Sequence, residues 1–227
     1  MQKRILSVQD ISCLGKCANT VALPVLSALG HECVVLPTAL LSAHTGIPGG
    51  SFLEGRELLR FVDPVLGDEG RLYSGYDGSL VAAMRRFCAG ADVVTPNVTE
   101  AALLTGEPCG DDACGDAALE RMLAGLFDLG VRRAVITGVR LGPDRIGIVG
   151  ADRETGERLR LETPYAPVSL PGTGDVFASA FCGKLAAGTP FAAAAEAALT
   201  FTYRCIRRTL PTDIRYGLCF EEELKSL

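Results

Sequence analysis

The chain has 227 residues, 48% of them hydrophobic and 22% charged, with a formal net charge of −5. This composition can bury a sizeable core, and its acidic balance excludes a surface built for nucleic acid or anionic lipid, which needs clustered Lys and Arg. Nine scattered cysteines in a chain of this size are expected as reduced, unbridged thiols in the cytoplasm, with Cys109 and Cys114 as the pair nearest to an exception.

In chain order, Met1-Gln2-Lys3-Arg4 runs straight into a strand-like stretch at 5–8, without the apolar core and cleavage site of a signal peptide. No apolar run is long enough to cross a bilayer. Further strands are expected at 33–36, 59–62, 93–95, 134–137 and 146–149. Helical patterns fall at 17–29, 78–88, 99–105, 117–129, 176–187, 191–208 and 220–227. Strand–helix alternation implies parallel strands with crossover helices, hence one three-layer α/β domain around a central, mostly parallel sheet. Asp111, Asp112 and Asp116, among glycines, read as a solvated loop. The two histidines, His31 and His44, are not spaced as zinc ligands.

The most informative stretch is Leu170-Pro171-Gly172-Thr173-Gly174-Asp175-Val176. Pro171 and Gly172 break what precedes them, and a long helical pattern starts just after Asp175. A glycine turn at a helix start presents backbone N–H groups and the positive end of the helix dipole, which suits a phosphate. Asp175 there can take a proton from an attacking hydroxyl; an Asp helix cap after a tight turn has the same pattern. Asn97 and Glu100 are three apart at another helix start, where an amide and a carboxylate can hold the water shell of Mg²⁺ or simply cap the helix. Asp63 and Asp68 flank a Pro and Gly turn just beyond a strand, on the side where parallel sheets bind ligands.

Gly172-Thr173-Gly174-Asp175 resembles the signature of the ribokinase superfamily, in which the Asp is the catalytic base and the preceding amides form an anion hole. No Walker A pattern occurs in the sequence. The resemblance is closest to the bacterial pyridoxal kinases. Asn97-x-x-Glu100 is similar to their magnesium and phosphate motif, with Glu100 at the metal, and Thr137 stands where they bring a Thr or Ser to the nucleotide phosphates. The segment from Asp63 to Gly70 resembles one whose carboxylates lie near metal and phosphate, with Tyr73 near the nucleotide. Asp10 and Thr45, the latter in Ser42-Ala43-His44-Thr45, match positions that face the acceptor. Arg215-Tyr216-Gly217 to Glu221 resembles the ending of one bacterial branch.

The resemblance implies ATP-dependent phosphorylation of the hydroxymethyl group of pyridoxal, pyridoxine or pyridoxamine, with Mg²⁺, in a homodimer without nucleic-acid or membrane partners. It leaves a monovalent-cation requirement open. Hydroxymethylpyrimidine is the alternative acceptor, and a non-catalytic relative that binds vitamer or nucleotide is the alternative of another class. One region departs from the pattern. Between Thr45 and Leu58 the kinases carry a helix, a strand and another helix, roughly 40 residues more than are present here. Either the sequence as written omits them or the chain truly lacks them; omission is the expectation, because the other motifs are intact.

Overall fold

A computed structural model describes residues 4–12, 19–29, 32–41, 60–109, 114–168, 170–210 and 217–226. The chain divides into two compact units, Met1–Leu58 and Leu59–Leu227. In the first, β1 (Arg4–Ser12) pairs in parallel with β2 (Glu32–Leu41), in a register that sets Arg4 against Glu32 and Val8 against Leu36. The connection is α1 (Asn19–Ala28), the crossover that a parallel pair requires. A buried hydrogen bond from Ser7 Oγ to Asn19 Oδ1, 2.7 Å, ties β1 to the start of that helix. Residues 42–59, which contain Thr45 and the shortened region, lie outside the described residues.

The second unit is built on a five-stranded sheet in the order β3 (Phe61–Val62), β6 (Val93–Val94), β7 (Arg133–Gly142), β8 (Arg145–Asp152) and β9 (Arg158–Pro164). The β3–β6–β7 pairs are parallel, as the alternating pattern predicts. The β7–β8–β9 pairs are antiparallel, an edge meander that the sequence reading did not anticipate. A short hairpin, β4 (Gly67–Asp68) with β5 (Arg71–Leu72), forms a separate ladder.

Successive strand residues point to opposite faces, and the core divides accordingly. Val62, Val94, Ala134, Ile136 and Val149 pack with residues of α2 (Gly78–Cys88), α3 (Val98–Thr105) and α4 (Asp116–Asp128). Val93, Val135, Ile148 and Leu159 pack with α5 (Thr173–Ala186) and α6 (Phe191–Thr209). The unit is thus a three-layer α/β sandwich. In α6 the buried residues Phe191, Ala194, Ala195, Ala198, Phe201 and Cys205 recur at helical spacing, which seats one stripe of the helix on the sheet. Phe181 of α5 is fully buried between Phe177, stacked on it at 5.7 Å, and Phe191, edge-on at 5.8 Å.

Two expectations are corrected. The helix expected at 220–227 is one turn of 3₁₀ helix, Glu223–Ser226, because the segment before it is held in a non-helical path by contacts described below. The thiols of Cys109 and Cys114 are joined, against the expectation that no cysteine is bridged. Their Cα atoms lie 5.4 Å apart across the α3–α4 connection, within the span a disulfide needs. Cys33, Cys88, Cys182 and Cys205 are free thiols. Among the described residues no helix is long and apolar enough to cross a membrane.

Candidate active site

The glycine turn opens α5. Gly172 is the N-cap residue, held at φ 89°, a left-handed conformation that glycine adopts without strain. Its carbonyl accepts the first helical bond, from Val176 N at 3.0 Å. The amides of Thr173, Gly174 and Asp175 therefore belong to the open first turn, where N–H groups lack helical partners and the dipole is positive. Among the described residues no side chain caps this end. The Thr173 hydroxyl instead donates back to Leu170 O at 3.3 Å. Asp175 is exposed in the first turn, its carboxylate facing a cavity of about 460 Å³. It is therefore not the capping residue that its position in the sequence equally allowed.

The parallel strands deliver the acidic side. Asp63 follows the last residue of β3 and Thr95 the last residue of β6, so both stand at carboxyl ends of adjacent strands. Thr95 Oγ1 donates to Asp63 Oδ1 at 2.6 Å. Asn97 caps α3, its Oδ1 accepting from Glu100 N at 2.9 Å, while Glu100 Oε2 accepts from Asn97 N at 2.8 Å. This reciprocal pair is a capping box. Glu100 does more than cap: it is 6% exposed, and its other oxygen accepts from Leu66 N at 3.1 Å. Asn97 Nδ2 donates to Gly67 O at 2.8 Å. The 66–67 backbone is thus fastened to the start of α3, and the β4–β5 hairpin with it.

Thr137 joins the same group. It forms an isolated bridge with Asn97, and its amide donates to Pro96 O at 2.9 Å. The β7–β8 register shifts between Ile136 and Val139, and Gly138 takes φ 70°. Asp68 lies exposed in the hairpin, accepting from Glu69 N. Tyr73 follows it, its amide bonded to Leu66 O at 3.0 Å and its ring edge-on to Tyr76.

Electrostatics link these side chains. Burial raises Glu100 from the ordinary carboxylate range to about 7, opposed by its backbone donors and reinforced by the charge of Asp63. Asp63 is also raised, first by burial, and the charge of Asp175 adds to it while the Thr95 hydrogen bond works against it. The Tyr73 hydroxyl is pushed up by desolvation and then by Asp68, Glu100 and Asp175. Asp175 thus acts on Asp63 and Asp63 on Glu100, a gathering of negative charge that a cation would relieve. Among the described residues no three acidic, Cys or His side chains converge as direct ligands. A hard ion that keeps several waters, such as Mg²⁺, suits this spread set of oxygens.

The second unit holds Asp63, Asp68, Tyr73, Asn97, Glu100, Thr137 and Asp175 around the ends of β3, β6 and β7 and the starts of α3 and α5. Asp10 lies on β1 of the first unit, and Thr45 is outside the described residues. Sequence reasoning missed Thr95, whose only signal was its place directly after a buried strand, and the backbone groups of Leu66 and Gly67.

A family model described as phosphomethylpyrimidine kinase matches residues 57–218. The chain belongs to the phosphomethylpyrimidine kinase family. It is a small-molecule kinase, and the matched span holds the whole acidic cluster and the Gly172–Asp175 turn. This family member is 26% identical to a pyridoxal kinase PdxY of Granulibacter bethesdensis, with 90% of this chain and 89% of that one aligned. That alignment runs over 255 positions, longer than the 227 residues here, so the relative carries residues that this chain lacks. Among solved structures, the family member resembles one from Bacteroides thetaiotaomicron in an orthorhombic form with pyridoxal. The TM-score is 0.71 at 32% identity, covering 99% of this chain and 95% of that one. It also resembles the pyridoxal kinase of Lactobacillus plantarum, with TM-score 0.70 at 31% identity, covering 100% and 96%.

Proposed function

We propose that this kinase transfers the γ-phosphoryl group of ATP to the hydroxymethyl oxygen of pyridoxal, pyridoxine or pyridoxamine. The observation that carries this reading is the placement of the Asp175 carboxylate at the open amide end of α5, within electrostatic reach of Asp63. Asp175 accepts the proton of the attacking hydroxyl. The amides of Gly172, Thr173 and Gly174 donate to the phosphoryl oxygens as charge develops on them. Asn97, Thr137 and Tyr73 hold the nucleotide. On the resemblance to the pyridoxal kinases, Asp10 and Thr45 are assigned to acceptor binding.

Glu100 and Asp63 would hold the water shell of Mg²⁺, which when bound would neutralise phosphate charge, and Asp63 and Asp68 would lie beside the nucleotide phosphates. The raised proton affinity of Glu100 supports a cation there, because a buried carboxylate gains most from a positive neighbour. A homodimer is the proposed form, on the resemblance to the pyridoxal kinases, while the Cys109–Cys114 bridge counts against the expected cytoplasmic location.

The family description supports a second acceptor, hydroxymethylpyrimidine. Assaying ATP-dependent phosphorylation of pyridoxal, pyridoxine and hydroxymethylpyrimidine side by side decides between them. The pyridoxal reading predicts the highest kcat/KM on a B6 vitamer; a higher value on the pyrimidine overturns it.

A further inference from the structure

The cavity in front of Asp175 has two walls of different origin. Gly172, Asp175 and Val176 form one, from the turn and first coil of α5. Gly217, Leu218 and Phe220, from the carboxyl-terminal segment, form the other. Its volume of about 460 Å³ is in the range of small-molecule sites. The second wall has no strand or helix of its own, since the segment 217–220 carries no regular structure. Its position must come from what holds it.

Two groups at the end of α6 do so. Thr209 is fully buried; its hydroxyl donates to Cys205 O at 2.7 Å, as a helical Thr commonly does, and accepts from Cys219 N at 2.9 Å. One oxygen thus ties the amide between Leu218 and Phe220 to the last turn of α6. Arg208, the preceding residue, pairs through Nε with Glu223 at 2.9 Å and through Nη1 with Glu222. At the near end, Gly217 takes φ 89° and passes so close to Pro171 that an added Cβ would stand 3.4 Å from its carbonyl oxygen. The wall is therefore pinned to α6 on one side and laid against the glycine turn on the other.

We infer that Thr209, assisted by Arg208, is a positioning residue that holds Leu218 and Phe220 as the apolar wall for a flat heteroaromatic ring bound beside Asp175. The inference rests on the kinase reading above. The ring is that of one of the two substrates, the nucleobase or the pyridine, and the apolar residues Val176, Leu218 and Phe220 around the cavity suit both. Thr209 touches neither; it acts through the Cys219 amide.

The test compares Thr209→Val, nearly isosteric but without the hydroxyl, with Thr209→Ser, which keeps it. Valine removes the hydroxyl that accepts from the half-buried Cys219 N–H, a loss that on the usual scale of such bonds weakens ring binding roughly tenfold. The expected result is a KM raised about tenfold for one substrate only, with kcat changed less than about twofold, and restoration by serine. A rise confined to ATP identifies the nucleobase, and one confined to pyridoxal identifies the pyridine. Hydrogen exchange supplies an independent readout: the amides of 218–220 lose protection in Thr209→Val while those of α6 keep theirs. If Thr209→Val does not fold, the exposed Arg208→Gln is expected to shift the same KM by a smaller factor. Unchanged KM for both substrates, or equal losses in both, overturns the inference. Should the wild-type protein phosphorylate no acceptor, the kinase reading fails instead, and calorimetric binding of ATP and of pyridoxal to the two Thr209 variants still tests the wall.

Discussion

Thr95 Oγ1 donates a 2.6 Å hydrogen bond to Asp63 Oδ1, joining the first residue beyond β6 to the first residue beyond β3. Thr95 is almost wholly buried and Asp63 partly so. The bond both aims the carboxylate and opposes the effect of burial on it. Thr95→Val, which keeps the shape and removes the donor, is expected to lower kcat/KM by about tenfold or more, since hydrogen bonds to charged groups are worth roughly 1.5–3 kcal/mol. Thr95→Ser is expected to retain most activity. Steady-state kinetics on the two variants checks this, and equal behaviour of valine and serine contradicts it.

Glu100 sets a pH dependence. Burial raises it to about 7 from an ordinary 4.5, so between those values the folded protein holds a proton that the unfolded chain has released. The stability this group contributes is therefore fully present below about 4.5 and is lost as pH rises through about 7, a span worth about 3 kcal/mol. Gln cannot titrate and can still cap α3 in a capping box. Metal-free wild-type protein is expected to lose more thermal stability between pH 5 and pH 8 than Glu100→Gln does. Calorimetric Tm values at the two pH values measure the difference, and parallel curves contradict the assignment.

Phe181 tests the layer that carries the catalytic turn. It is fully buried against Phe177 and Phe191, so Phe181→Ala opens a cavity between α5 and α6 and is expected to cost about 3–5 kcal/mol. Denaturant unfolding followed by circular dichroism measures it. A loss below about 1 kcal/mol contradicts the packing described.

Much of this arrangement was legible in the sequence where local chemistry and tertiary packing agree. The helix expected at 78–88 is α2 with the same bounds, because Asp77 caps it through Ser79 and Leu80 and its apolar stripe meets the core. The parallel strands are apolar enough to be read directly. The strand β9 was not read, because Arg158-Leu159-Arg160-Leu161-Glu162 alternates charge with leucine at a solvent-facing edge and lacks the apolar run sought. The β4–β5 hairpin has two residues per strand and is fixed from outside, by Asn97 on Gly67 and Thr99 on Gly70. The expected terminal helix fails for the same kind of reason, since Thr209 holds the chain at Cys219 in a non-helical path. In the site, the residues expected from the sequence are those that carry a family motif. Thr95 and Thr209 act through a neighbour, and such a role has no motif.

The central claim is that Asp175 is the base of a phosphoryl transfer to a B6 vitamer. The direct measurement is the rate of ATP-dependent pyridoxal phosphorylation by wild-type protein and by Asp175→Asn, with ATP affinity determined on both by calorimetry. The account predicts turnover by the wild type, a fall in kcat of about 10²–10⁴ in the variant, the usual contribution of a general base, and ATP binding within about threefold of wild type. A variant that turns over at near wild-type rate, or one that loses ATP binding in proportion to its rate, contradicts it.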